Sequence, residues 1–155
     1  MAFEIRFATE EDAESIIEIT REAFALYKKQ SGADKLEALD ESYSDVVKDI
    51  REKLVFVALS DGERIGCVRV EIKDDRTAWL TRFAVKVSSH NGGVGKKLLG
   101  RIDEVMKEKG IKSISLYTAS QVESLMSFYG GCGFNIESTD NKRGYTRSQL
   151  TKKYI

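Results

Sequence analysis

The run Phe83-Ala84-Val85-Lys86-Val87-Ser88-Ser89-His90-Asn91-Gly92-Gly93-Val94-Gly95-Lys96-Lys97-Leu98-Leu99 constrains this chain most. An apolar strand enters a turn holding three glycines, and the turn opens directly into an amphipathic helix. A β-rich run, Ile111 to Thr118, follows that helix. A strand, a helix and a second strand in this order imply a parallel pair joined by a right-handed crossover. An all-helical fold and a purely antiparallel sheet are therefore excluded.

The flanking segments complete the pattern. Phe3, Ile5 and Phe7 alternate with Glu4 and Arg6, which predicts a half-buried strand over residues 2–8. Thr9-Glu10-Glu11-Asp12 reads as a helix start, with acids at the positive end of the dipole. Ala13, Ile16, Ile17, Thr20, Ala23, Phe24 and Tyr27 form one stripe at steps of three and four, a helix to about Lys28. Residues 29–41 read as a polar loop. Ser42-Tyr43-Ser44-Asp45 caps a second helix, and Asp34, Glu37, Asp40, Glu41, Asp45 and Asp49 make this region acidic. Asp61-Gly62-Glu63 joins two β-rich runs as a hairpin. Thr77 to Val87 is a third strand. Helices follow over 94–109 and 121–129, the last stopped by Gly130-Gly131, and strands close the chain over 134–138 and 145–150. The predicted order is β-α-α-β-β-β-α-β-α-β-β: an α/β chain with a mixed sheet, helices on both faces, and one domain spanning residues 1–155.

Charge is neutral overall but uneven. Residues 1–63 hold 8 Lys/Arg against 16 Asp/Glu, and residues 64–155 hold 17 against 9. The surplus suits two solvated faces, or a polyanion bound on the C-terminal half. No basic arm or basic-aromatic array points to nucleic acid. No apolar run approaches the roughly 20 residues that span a bilayer, so no membrane partner is expected. Met1 to Glu10 lacks the basic end and apolar block of a signal peptide, which points to a cytoplasmic protein. Cys67 and Cys132 read as free, reduced thiols, and with a single histidine they cannot build a zinc site, so no metal is expected.

A helix start offers N–H groups with no internal acceptor, and the dipole adds about half a positive charge. Glycines let that backbone press against a phosphate. The turn is not a P-loop, because Gly95-Lys96 is followed by Lys97 rather than Ser or Thr. It is not the dinucleotide fingerprint either, since Leu98 stands where a third glycine is required.

The run His90-Asn91-Gly92-Gly93-Val94-Gly95, placed after an apolar strand, and the ending Ser127-Phe128-Tyr129-Gly130-Gly131-Cys132-Gly133-Phe134 resemble the GNAT family of acetyl-CoA-dependent N-acyltransferases. The family's loop reads Arg/Gln-x-x-Gly-x-Gly/Ala, its last helix ends in Tyr-x-x-x-Gly-Phe, and its element order matches across the chain. The resemblance implies that acetyl-CoA is a co-substrate. Backbone N–H groups of His90, Asn91, Gly92, Gly93, Val94, Gly95 and Lys96 would then cradle the pyrophosphate. Phe83, Ala84 and Val85 would line the pantetheine arm, in a slot where the sheet parts between residues 80–87 and 111–117. Tyr129 matches the tyrosine that protonates the leaving thiolate.

Three positions depart from the family pattern. His90 replaces Arg/Gln. Ser120 or Gln121 stands in for an asparagine that contacts the pantetheine in relatives. The central-strand glutamate that acts as base is absent at Trp79-Leu80-Thr81-Arg82, leaving Glu71 on the preceding strand, or ordered water, to take the proton. The activity implied is transfer of acetyl to a small-molecule or peptide amine by direct attack on the thioester. The other reading is a non-catalytic acyl-CoA-binding or sensing domain of the same fold. A dimer is a common outcome in the family, and here the edge strands of the C-terminal hairpin offer one way for two copies to pair as a homodimer.

Overall fold

The computed structural model describes residues 3–155, apart from the side chain of Asn91. The expected strand start at Ala2 lies outside the described residues. The described residues form seven strands: β1 (Glu4–Phe7), β2 (Leu54–Ser60), β3 (Glu63–Ile72), β4 (Thr77–Val85), β5 (Ser113–Ala119), β6 (Asn135–Asp140) and β7 (Arg147–Lys153). The helices are α1 (Ala13–Ser31), α2 (Tyr43–Glu52), α3 (Val94–Glu108) and α4 (Glu123–Gly131). The strands form one sheet in the order β1-β2-β3-β4-β5-β7-β6. Among the described residues only β4 and β5 run parallel, as the crossover through α3 requires.

Each face of the sheet carries its own apolar layer. On one, Ile16 and Ile19 of α1 and Val46 and Val47 of α2 meet Val55, Val57, Leu59, Cys67 and Ala84. On the other, Leu98, Leu99, Ile102, Val105 and Met106 of α3 meet Phe56, Val68, Val70, Leu80 and Ile114. Helices on both faces explain why β2 (Leu54-Val55-Phe56-Val57-Ala58-Leu59) reads as a continuous apolar run rather than an alternation.

Local chemistry sets several boundaries. Ser42 caps α2: its hydroxyl accepts from Asp45 N at 3.1 Å while its own N–H donates to the Asp45 carboxylate at 2.9 Å. At the entry to α1 the bonding differs from the expected Thr9 cap. The Asp12 carboxylate accepts the Thr9 N–H at 2.7 Å, and the Thr9 hydroxyl makes no cap bond. The loop predicted over 29–41 is shorter, because α1 runs on to Ser31 and a turn of 3-10 helix covers Glu37–Leu39. Gly130-Gly131 does not stop the last helix. Both glycines lie inside α4, and the chain turns only at Gly133, whose φ of 98° is the left-handed conformation.

The decisive feature for function is where β4 and β5 separate. They pair at Thr77↔Ser113, Ala78↔Ile114 and Trp79↔Ser115, and no further. Beyond Trp79, β4 keeps β3 on one edge and faces no strand on the other. The parting expected between residues 80–87 and 111–117 is present. Among the described residues, no helix is long and apolar enough to cross a membrane.

Candidate active site

A groove of about 1640 Å³ follows the open edge of β4. Its first end is bounded by Phe83, Ala84 and Val85 of β4, by His90, Gly93, Gly95 and Lys96, and by Leu125, Phe128 and Tyr129 of α4. Residues 87–92 form a turn of 3-10 helix rather than an open loop, and Gly93, in left-handed conformation (φ 79°), swings the chain into α3. A Cβ at Gly93 would meet nothing within 4 Å, so the space at the helix entrance is open. The first N–H of α3 to close onto the chain is Lys97 N, on Gly93 O at 3.1 Å. The N–H groups ahead of it are those a helix leaves for an outside acceptor.

His90 spends its ring on the fold. Its Nε2 meets Val85 O at 2.9 Å, and a carbonyl only accepts, so Nε2 carries the hydrogen. The imidazole thereby ties the turn to the end of β4. Val94 is buried and points into the core, and its contribution to the site is its backbone.

Gly95 shows why this helix start needs glycine. A Cβ there would lie 2.8 Å from Cζ of Phe83 and 3.0 Å from Cζ of Phe128. Those rings stack with centroids 5.6 Å apart, and both flank the groove. Gly95→Ala is expected to displace them. Overpacking costs roughly 1–3 kcal/mol, and the alanine regains at most about 1 kcal/mol of helix propensity. A small drop in melting temperature and a severalfold weaker acetyl-CoA affinity should result, read by thermal melt and by titration.

Tyr129 is buried within an aromatic cluster: Phe128 at 5.3 Å, Phe134 at 5.8 Å and Phe83 at 6.0 Å between centroids. Its hydroxyl makes no hydrogen bond among the described residues, although the residue borders the groove. Burial, with a smaller push from Cys132, raises its pKa above the ordinary phenol value, so it stays protonated at neutral pH.

Ser120 and Gln121 do not line the groove. The Ser120 hydroxyl bonds Ser148 Oγ at 2.8 Å, and Gln121 Nε2 donates to the Ser31 carbonyl at the end of α1. The residues of this region that do reach the groove are Thr118, Ser124 and Leu125. A sequence pattern alone does not separate these positions, because the turn before α4 decides which side chains face inward.

The second end of the groove lies under α2. It is lined by Glu37, Asp40, Glu41, Asp49, Glu52 and Glu71, by the bases Lys48, Lys53, Arg143 and Arg147, and by Trp79, Tyr117 and Tyr145. Several of these acids are already neutralised. Arg69, on β3 and 1% exposed, binds Glu41 at 2.7 and 2.9 Å and Asp49 at 2.9 Å. Burial works against the Arg69 charge, but these bonds outweigh it and hold its pKa above the usual value. Glu37 pairs with Arg143 at 3.4 Å. Asp40 and Glu52 make no ion pair among the described residues. Glu71 pairs with Lys73 at 3.2 Å, both about half exposed. Trp79 stacks on Tyr117 at 5.2 Å across the parting strands, and the Arg147 guanidinium lies 3.8 Å from the Tyr117 ring centre. Glu71 is the register partner of Trp79. That places it four residues from Phe83, about 13 Å along an extended strand. Neither cysteine lines the groove, and burial pushes the Cys67 thiol up to about 11, far from a nucleophilic thiolate.

Residues 13–134 match the acetyltransferase (GNAT) family. The chain belongs to that family. Acetyl transfer to an amine and acetyl-CoA as co-substrate come with it, and the open β4 edge beside a free helix start fits such a ligand. Spermidine N(1)-acetyltransferase of Thermoplasma acidophilum is 31% identical over 150 residues, covering 90% of this chain and 92% of that protein. Probable N-acetyltransferase 14 of Xenopus tropicalis is 32% identical over 108 residues, 68% of this chain, and this match spans about half (52%) of that protein. The crystal structure of the PaiA N-acetyltransferase of Thermoplasma acidophilum in complex with coenzyme A superposes with a TM-score of 0.86 at 30% identity, covering 99% of this chain and all of that one (100%). The present acetyltransferase thus shares its fold with a CoA-bound relative along its whole length.

Proposed function

We propose that this acetyltransferase modifies a small amine of the polyamine type, binding it at the carboxylate and aromatic end of the groove. The observation that carries the proposal is the continuity of one groove from the open β4 edge, past Tyr129, to Asp40, Glu52 and Glu71. The likeness to a spermidine acetyltransferase supports the choice of acceptor. The pantetheine arm lies along Phe83 to Val85 and pairs with the free strand edge. Its pyrophosphate meets the N–H groups from His90 to Lys96, with the Lys96 charge alongside.

The acceptor's neutral amine attacks the thioester carbonyl directly. A backbone N–H at the end of β4 stabilises the oxygen that gains charge, and positioning supplies the remainder. Tyr129 donates to the departing sulfur. Glu71 lies too far along the sheet to take the proton at the thioester itself. It serves instead as the partner of a second, distal ammonium, with Trp79 and Tyr117 as its wall. The exposed Glu71–Lys73 pair is worth at most about 1 kcal/mol and exchanges readily for a substrate cation. Water in the groove carries the reacting amine's proton away. One domain over residues 1–155 and a cytoplasmic setting with both thiols reduced complete the reading.

Thiol release from acetyl-CoA should be fastest with spermidine in a panel of polyamines, amino acids, aminoglycosides and peptides. Glu71→Gln should raise the spermidine KM about five- to tenfold, a loss of about 1–1.4 kcal/mol, and leave a simple monoamine unaffected. An equal fall in kcat for every acceptor would make Glu71 the base and remove the distal site.

A further inference from the structure

Arg82 has a side chain and yet holds the left-handed backbone, φ 53°. Such a conformation is uncommon outside glycine and persists where the surroundings impose it. It coincides with a break in the β3–β4 register: Cys67 faces Ala84 but Arg69 faces Thr81, so Arg82 and Phe83 together oppose Val68. This is a bulge on β4, at the point where the slot for the thioester begins.

The bulge is tethered from outside the sheet. Arg82 Nε lies 3.3 Å from Oε2 of Glu41, within ion-pair reach but outside hydrogen-bond geometry. Glu41 precedes α2 and belongs to the acceptor wall. Its carboxylate is locked in a two-bond fork by Arg69, which also grips Asp49 on α2. Arg69 is fully buried, so this carboxylate has little freedom to leave. Its position is therefore set by the core of the sheet and handed on to Arg82.

We infer that Arg82, held by Glu41 and through it by Arg69, is a positioning residue for acetyl transfer: the tether fixes the β4 bulge and with it the N–H groups that meet the thioester oxygen. The inference rests on the N–H role given to the end of β4 above. It goes beyond that role in naming what holds the bulge and in linking it to the acceptor wall.

Arg82→Gly is the informative change, because glycine adopts φ 53° freely and the backbone strain is relieved rather than increased. The folded state should be kept, the acetyl-CoA KM should stay within about twofold, and kcat should fall at least about tenfold. Glu41→Gln keeps an acceptor for Arg69 but weakens the charge link, and should lower kcat in the same way. The double variant should be no worse than Arg82→Gly alone, since both act through one tether. Independently of turnover, amide hydrogen exchange at residues 82–85 should quicken at least about tenfold in Glu41→Gln, with β2 unchanged. Multiplicative losses in the double variant, or unchanged exchange at residues 82–85, would each overturn the tether. Quickened exchange without any change in kcat would keep the tether and count against the N–H role of the bulge, which separates the two failures.

Discussion

Tyr129→Phe should lower kcat about a hundredfold while acetyl-CoA binding and the melting temperature stay near wild type. A positioned proton donor contributes roughly a hundred- to ten-thousandfold. The low end is expected here because burial holds the pKa of this phenol above its usual value, which makes it a reluctant acid but a durable hydrogen-bond donor. Phenylalanine keeps the ring contacts with Phe83, Phe128 and Phe134. Nothing in the chain loses a hydrogen-bond partner, because the hydroxyl has none among the described residues. The change therefore removes one donor and little else. Steady-state kinetics combined with CoA calorimetry separates the two quantities. A variant with unaltered kcat would assign Tyr129 to packing alone. The pH profile offers a second check. A raised phenol value keeps the donor protonated to higher pH, so the wild-type rate should climb as the acceptor amine loses its proton and show no falling limb below about pH 10. A falling limb near pH 8 would point to a different acid.

The second large effect concerns stability. Asp12 is wholly buried and accepts from Arg6 at 2.8 and 3.0 Å, from Arg64 at 2.5 Å and from Thr9 N at 2.7 Å. It binds β1, β3 and the entry to α1 together. Burial alone would raise its pKa, but the bonds from Arg6, Thr9 and Arg64 outweigh it and hold the carboxyl well below the usual range. Asp12→Asn removes the charge that these donors surround. Breaking a buried pair costs about 3–5 kcal/mol. Both arginines are about one-third exposed and recover some water, so about 3 kcal/mol is expected. In a chain of this size that is a fall of roughly 6–12 °C in melting temperature. The sign of the pH dependence follows from the lowered value. The stabilisation is fully present above the unfolded carboxylate value of about 3.9 and is lost as pH falls below it. Asp12→Asn should thus flatten the acid limb of the stability curve, measured by denaturant titration from pH 7 to pH 3. An unchanged limb would show that other carboxylates set it.

The difference between these two residues reflects how each became visible. Tyr129 stood out in the sequence because its spacing to Gly133 and Phe134 was legible. Asp12 reads only as an acid in a first helical turn, since its partners Arg6 and Arg64 lie on two separate strands, β1 and β3. The same holds for the groove. The strand–turn–helix around Gly93 and Gly95 is local, written in apolar period and glycine placement, and from it the crossover and the free helix start follow. The acidic stretch of residues 34–49 was equally plain as composition, but composition does not reveal that Arg69 consumes Glu41 and Asp49.

By itself, then, the sequence determined the element order, the parallel pair, the glycine turn that opens a helix and the aromatic ending of the last helix, because each depends on neighbours within a few residues. Tertiary structure alone decided that the His90 ring is tied to Val85 O, that Ser120 and Gln121 turn away from the groove, and that Gly95 is required by two rings 12 and 33 residues distant along the chain. It also placed Arg82 on a bulge under Glu41. Those outcomes depend on which side chains long-range packing brings together, and no local pattern encodes such a meeting.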